Sequence, residues 1–130
     1  MTELSQIYKC SVCGNMVEVI HAGGGELVCC QVPMNLQEEK NEEEGFTEKH
    51  LPVLEQTAKG IKAKIGSISH PMEEAHFIEW IEIKYANNEC VRKLLKPGDL
   101  PEFEFLPQEK IVLVRAYCNI HGLWSIKLTL

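Results

Sequence analysis

The chain has 130 residues, of which 45% are apolar and 25% are charged, and its formal net charge at pH 7 is −6. This length allows one domain or two small ones, and the composition is ordinary for a globular chain. The acidic charge argues against nucleic-acid binding, and the sequence has no apolar run of the roughly eighteen residues that a membrane-spanning helix needs.

The first segment, residues 1–36, contains four of the six cysteines, two short apolar runs and a Gly23-Gly24-Gly25 turn. This pattern predicts a small unit rich in hairpins. Because so short a segment buries little apolar surface, we expect a bound metal ion to stabilise it. An acidic connector, residues 38–45, follows. We interpret it as a solvated linker, with calcium binding as the alternative.

From about residue 46 onward the sequence is typical of antiparallel β structure. Short alternating segments are separated by the turn sequences Asn87-Asn88 and Pro97-Gly98. In the segment 76–85, Ile78 and Trp80 share a face before the alternation changes phase, which predicts a bulge or a strand buried on both faces. With little helical periodicity, the pattern predicts a sandwich of about ninety residues. The residues expected on buried faces are Ile61, Ala63, Ile65, Ile78, Trp80, Ile81, Ile83, Tyr85, Val112, Val114, Ala116, Trp124, Ile126, Leu128 and Leu130.

The first candidate metal site consists of the Cys10-x-x-Cys13 pair and the adjacent Cys29 and Cys30. Four thiolates complete a closed tetrahedral site, although thiolates alone do not choose between zinc and iron. A disulfide is the alternative, but adjacent cysteines would close a strained ring. The start of the chain has no basic stretch followed by an apolar one, so we also expect a reducing, cytoplasmic location. His21, between the two cysteine pairs, is expected at the surface.

The second candidate site combines His50, His70, His76, Cys118 and His121. Cys118 and His121 are three residues apart in a turn between two predicted strands, so both side chains can reach one ion. Imidazole suits iron, zinc or copper. Four nitrogens and one sulfur exceed a tetrahedral count, which favours five-coordinate iron with an open position. A thiolate opposite that position pushes electron density onto the metal.

The order of these motifs, together with Glu48-Lys49-His50, His70-Pro71 and Cys118-x-x-His121-Gly122, resembles the desulfoferrodoxin family, the two-iron class of superoxide reductase. The resemblance covers nearly the whole chain. It implies a desulforedoxin-like Fe(Cys)4 domain at residues 1–37 and an immunoglobulin-like antiparallel β-sandwich at 38–130, which carries an Fe(His)4(Cys) site. The implied ligands of the two irons are Cys10, Cys13, Cys29 and Cys30 for the first, and His50, His70, His76, Cys118 and His121 for the second. Cys90 matches no ligand position and is expected to be a buried free thiol.

The resemblance also implies an activity, which is the one-electron reduction of superoxide to hydrogen peroxide without release of dioxygen. Lys49 would place a positive charge over the open position, and Glu48 would occupy that position in the ferric state. The resemblance favours a homodimer, and a rubredoxin-type donor is expected because no GxGxxG nucleotide fingerprint is present. Two other classes stay open: an electron-transfer or redox-sensor protein whose second iron turns over no substrate, and a zinc-stabilised binding module without chemistry.

Overall fold

The computed structural model describes residues 2–42 and 49–128 and divides the chain into two compact units, Met1–Glu38 and Glu39–Leu130. All regular elements in the described ranges are β-strands, so the predicted mainly β fold is confirmed. That part of the chain likewise has no helix that could traverse a bilayer.

Twelve strands make up the described fold. In chain order they are β1 (Ile7–Lys9), β2 (Met16–Glu18), β3 (Val28–Cys29), β4 (Val32–Pro33), β5 (Asn35–Leu36), β6 (Pro52–Thr57), β7 (Gly60–Ile65), β8 (Ile78–Tyr85), β9 (Cys90–Leu94), β10 (Glu102–Phe105), β11 (Ile111–Cys118) and β12 (Gly122–Lys127).

The first unit is built from β1–β5. Strand β1 pairs with β2 and β5 in an antiparallel three-stranded sheet, and β3 pairs with β4 in a separate two-stranded sheet. Among its described residues, the buried apolar side chains are those of Ile7, Cys10 and Val19. So small a core contributes little stability, which agrees with the expectation that a metal ion stabilises this unit.

The second unit contains two antiparallel sheets, of strand order β10-β7-β6 and β12-β11-β8-β9. Apolar residues from both sheets form a common core, so the predicted antiparallel sandwich is confirmed. Except for Leu95, which follows β9, these residues lie on the inward faces of β7, β8 and β11. The core residues are Ala63, Ile65, Ile78, Ile81, Ile83, Tyr85, Leu95, Ile111, Val114, Ala116 and Cys118.

A bulge interrupts the pairing of β8 with β11, as the sequence predicted. Trp80 pairs with Tyr117 and Ile78 with Cys118, so Glu79 is the extra residue. Ile78 therefore joins the core, whereas Trp80 stacks on Tyr117 with ring centroids 6.1 Å apart. The prediction that Ile78 and Trp80 share a face was wrong, because the extra residue changes the phase between them.

Two predictions about burial need correction. A second register shift in β11 puts Ile111 into the core and leaves Val112 half-buried. Cys90 is exposed rather than buried. It begins β9, which forms one edge of its sheet in the described part of the chain, next to β8, and all five residues of this strand are exposed. Leu130 lies outside the described residues.

Candidate metal centres

The four cysteines of the first unit converge on one point. Each offers one sulfur, and the four sulfurs lie within 4.8 Å of one another. The Sγ atoms of Cys13 and Cys29 are 3.6 Å apart, and those of Cys29 and Cys30 are 4.0 Å apart. Four sulfurs bound tetrahedrally to one ion at about 2.3 Å would be separated by about 3.8 Å. The donor set and its spacing therefore fit a thiolate-bound metal, and all six cysteines are free of disulfides.

Tight backbone turns direct amide groups at these sulfurs. The amides of Val12 and Cys13 lie 3.4 and 3.5 Å from Cys10 Sγ, and the amide of Asn15 lies 3.4 Å from Cys13 Sγ. Gly14, between the last two of these residues, has a φ of +81°, which a residue without Cβ adopts at no steric cost. The Cys10-x-x-Cys13-Gly14 sequence thus builds the turn and stabilises thiolates by N–H···S hydrogen bonds.

The thiols of this cluster differ in their acidity. Hydrogen bonds from the backbone amides of Cys13 and Val12 lower the pKa of Cys10 to about 6. Side-chain hydrogen bonds with Cys13, Cys29 and Cys10 raise the pKa of Cys30 to about 12, and repulsion from the Cys10 thiolate adds to this rise. A cation bound at the centre would offset this repulsion, so complete deprotonation is linked to metal binding.

The second cluster lies in the second unit. His50, His76, Cys118 and His121 each offer one ligand atom, and these atoms lie within 4.8 Å of one another. The ring of His70 adjoins this group, with its centroid 4.8 Å from that of His50 and 4.9 Å from that of His76. The structure therefore brings together all five residues that the sequence singled out.

The four imidazoles form a closed ring. The centroid distances in the order His50–His70–His76–His121–His50 are 4.8, 4.9, 5.3 and 4.9 Å, and adjacent rings meet at angles between 60° and 83°. His50 Nε2 faces His121 Nδ1 at 3.1 Å. His70 Nδ1 lies 2.7 Å from the carbonyl oxygen of Pro71, so its N–H donates there and the lone pair stays on Nε2. The four histidines could therefore hold one metal ion between them.

Cys118 and His121 come from the turn that joins β11 to β12. Cys118 is fully buried at the end of β11, and the amide of His121 lies 3.4 Å from its Sγ. The side chain of Asn119 accepts a hydrogen bond from the amide of Phe77 at 2.9 Å and donates one to the carbonyl of Ala75 at 3.1 Å. Asn119 thereby ties the loop that carries His76 to the turn. Sequence reasoning missed this role, although the position of Asn119 inside the Cys118-x-x-His121 motif was a signal for it.

A glycine allows the close approach of the segment that carries His50. Gly66 follows β7 with a φ of +84°, and a Cβ built on it would lie 2.5 Å from the carbonyl oxygens of both Lys49 and Ile68. The amide of Gly66 donates to the carbonyl of Leu51 at 3.1 Å. No larger residue fits this contact without moving the backbone beside His50. In the sequence, only the position of Gly66 directly after a predicted strand pointed to this role.

Of the other residues that the sequence singled out, the structure describes Lys49 and His21. Lys49 is half-buried and directly precedes His50, and Glu48 falls outside the described residues. His21 is exposed, as expected. Within residues 2–42 and 49–128, the acidic connector contributes to neither group of side chains that could hold a metal.

The fold and the two clusters define a two-centre metalloprotein with one four-sulfur site and one histidine–cysteine site. The sequence profile of the desulfoferrodoxin N-terminal domain matches residues 2–37, and that of desulfoferrodoxin matches residues 42–127. The chain therefore belongs to the desulfoferrodoxin family, and the two clusters fit the two iron centres of that family.

Similarity to individual proteins supports this family assignment. A desulfoferrodoxin homolog from Archaeoglobus fulgidus is 58% identical over 126 residues, which cover 96% of this chain and 98% of that protein. The desulfoferrodoxin of Nitratidesulfovibrio vulgaris is 56% identical, with 92% and 94% of the two chains covered. The crystal structure of the superoxide reductase from Treponema pallidum superposes with a TM-score of 0.77 at 25% identity, covering 94% of this chain and 97% of that one.

Proposed function

We infer that the protein is a superoxide reductase, in which superoxide takes up one electron and two protons to give hydrogen peroxide without release of dioxygen. The observation that carries this conclusion is the closed ring of four imidazoles beside the buried thiol of Cys118. Membership of the desulfoferrodoxin family and the fold shared with the Treponema pallidum superoxide reductase support it.

We propose that the two clusters supply the ligands of two iron ions. The first iron would be held by the four cysteine sulfurs, and the second by the four histidines with Cys118. When bound, iron would supply one-electron redox chemistry and, at the second site, would bind a small anion. The proposed ligands are Cys10, Cys13, Cys29 and Cys30 for the first iron, and His50, His70, His76, Cys118 and His121 for the second.

The protein's own groups prepare the second site for this reaction. The hydrogen bond of His70 to the Pro71 carbonyl fixes its tautomer and leaves Nε2 available as a donor. The amide of His121 directs its N–H at Cys118 Sγ and so stabilises the thiolate form. The core around Cys118 excludes water from the sulfur, which keeps the thiolate a strong donor.

Two residues beside His50 complete the proposal. Lys49 is half-buried, and its ammonium would attract the superoxide anion although the whole protein is acidic. Glu48 would supply a carboxylate to the open position of the oxidised site after turnover. The family resemblance of the Glu48-Lys49-His50 triplet is the support for both roles.

We also propose the wider setting in which the reaction occurs. Electrons would come from a rubredoxin-type donor, because the sequence has no GxGxxG motif through which the protein itself would bind a nicotinamide or flavin nucleotide. Family precedent favours a homodimer, and six cysteines without a disulfide suit the reducing cytoplasm. We propose a desulforedoxin-like domain at residues 1–37 and a catalytic domain at 38–130, and the profile matches at 2–37 and 42–127 support this division.

Metal analysis combined with rapid mixing tests the proposal. Purified protein should contain two irons per chain, and mixing the reduced form with superoxide should oxidise the second site and yield one peroxide per superoxide. A colourless, zinc-containing protein would instead indicate a binding module. Iron at both sites without consumption of superoxide would indicate an electron-transfer or sensor protein.

A further inference from the structure

Lys40, in the acidic connector, is fixed against the sheet of the second unit. Its amide donates to the carbonyl of Leu123 at 2.9 Å, and its carbonyl accepts from the amide of Ser125 at 2.9 Å. These bonds form a parallel bridge with Trp124 of β12, the outer strand of its four-stranded sheet. At this position the connector is therefore an added edge segment rather than the solvated linker that the sequence indicated.

The side chain of Lys40 reaches back over the turn that carries the ligand candidates. Its Nζ donates to the carbonyl oxygen of His121 at 2.7 Å and lies 5.3 Å from the centroid of the Trp124 ring. A Cβ added at Gly122 would stand 3.5 Å from the same Nζ, so the ammonium lies closely against the turn. The Lys40 ammonium thus makes both a charge-assisted hydrogen bond and a cation–π contact.

Trp124 connects Lys40 to the histidine cluster. Its ring stacks on the imidazole of His50 at a centroid distance of 4.5 Å and an interplanar angle of 8°, and neither residue is exposed to solvent. His50 in turn faces His121 across 3.1 Å. One ammonium therefore touches both the backbone of His121 and the aromatic ring against which His50 packs.

We propose that Lys40 is a positioning residue of the histidine–cysteine site. It holds the His121 turn and the Trp124 ring in place, and its charge favours the reduced state of the metal. A fixed positive charge near a metal centre stabilises the lower oxidation state, because that state carries less positive charge. The inference rests on the proposed iron site.

The decisive variant is Lys40→Met, which keeps most of the aliphatic stem and removes the charge and the donor. In the iron-loaded protein we expect the midpoint potential of the second site to fall. We also expect iron release from that site to a chelator to accelerate about tenfold, the lower end of the effect seen when a group that supports a metal ligand is lost. Lys40→Arg, which keeps charge and donor, should restore both properties.

Lys127→Met is the matched control, because Lys127 is exposed on the same strand and its loss changes the net charge equally. It lies about 16 Å along β12 from Gly122 at about 3.3 Å per residue. Potentials and release rates that are equal in Lys40→Met and Lys127→Met would overturn the inference.

If Lys40→Met does not retain iron at the second site, its potential cannot be measured, and iron affinity is compared between Lys40→Arg and Lys40→Gln instead. Iron binding at wild-type affinity in the arginine variant and weaker binding in the glutamine variant would support the role, and equal losses in both would refute it. A wild-type protein without iron at the second site would instead contradict the proposed function itself, so the two failures are distinguishable.

Discussion

At the level of single residues, Lys49 is half-buried directly before His50, in a protein whose net charge is −6. A local positive charge of this kind changes the association rate of a small anion by roughly 10–10³-fold. We therefore predict that Lys49→Ile lowers the second-order rate of reaction with superoxide about tenfold or more, while both irons stay bound. Rapid mixing under pseudo-first-order conditions measures that rate.

The control for Lys49 is Lys59→Ile, which removes an exposed lysine from the hairpin between β6 and β7. The control should react at the wild-type rate. The wild-type rate should also fall as the salt concentration rises, because screening weakens steering. An unchanged rate in Lys49→Ile would show that this lysine is an ordinary surface cation.

At the level of elements, the loop after β7 depends on Gly66. Its φ is +84°, and a Cβ at this position would lie only 2.5 Å from two backbone oxygens, which leaves no room for a side chain. We predict that Gly66→Ala lowers the free energy of unfolding of the second unit by roughly 1–3 kcal/mol. It should also weaken iron binding at the second site, because Lys49 must move and His50 follows it in the chain. Denaturant unfolding and iron titration measure the two effects.

Gly98→Ala separates the two causes of this strain. Gly98 has a similar φ of +92°, but nothing lies within 4 Å of a Cβ built on it. The free energy of unfolding of Gly98→Ala should therefore fall only by the cost of the positive φ, about 1 kcal/mol, and the variant should keep wild-type iron affinity. Equal stability and affinity in the two variants would show that the contact with Lys49 has no influence on the metal site.

The elements also show what a single sequence can and cannot predict. Alternation predicted the buried residues of β7 and those of β11 from Val114 onward, because burial of one face imposes a period of two. It could not locate the extra residue Glu79, since one inserted residue reverses the faces without altering composition. Nor could it place Cys90, whose exposure depends on β9 being an edge strand, a property of pairing between distant segments.

The candidate sites were more predictable than the strands. Cysteine and histidine spacing marked the residues that the structure brings together, because metal ligands must be supplied in fixed numbers and types. The groups that support those ligands left weaker signals. Lys40 lies 81 residues from His121 in the sequence, so only the folded chain reveals their contact.

At the level of the whole molecule, the two clusters belong to different compact units, Met1–Glu38 and Glu39–Leu130. The first unit buries few apolar side chains in its described part, so metal binding should supply much of its stability. We predict that Cys13→Ser abolishes the four-sulfur site and raises hydrogen exchange across the first unit. Most superoxide reduction should remain. Segment-resolved hydrogen exchange measures the loosening of the first unit, and metal analysis should find one iron per chain. Loss of the second iron as well would contradict the independence of the two sites.

Cys118→Ser tests most directly whether superoxide is reduced at the histidine–cysteine site. Cys118 is fully buried, and the amide of His121 points at its sulfur, so serine should keep the turn while removing thiolate donation. Four imidazoles can still hold iron, although more weakly. The measurement is rapid mixing of the iron-loaded variant with superoxide, followed by a visible spectrum of the oxidised protein. We expect turnover to collapse and the sulfur-to-iron band of the second site to vanish, while the band of the four-cysteine site remains. Near-normal turnover with both bands intact would contradict the assignment of Cys118 and of the reaction to this site.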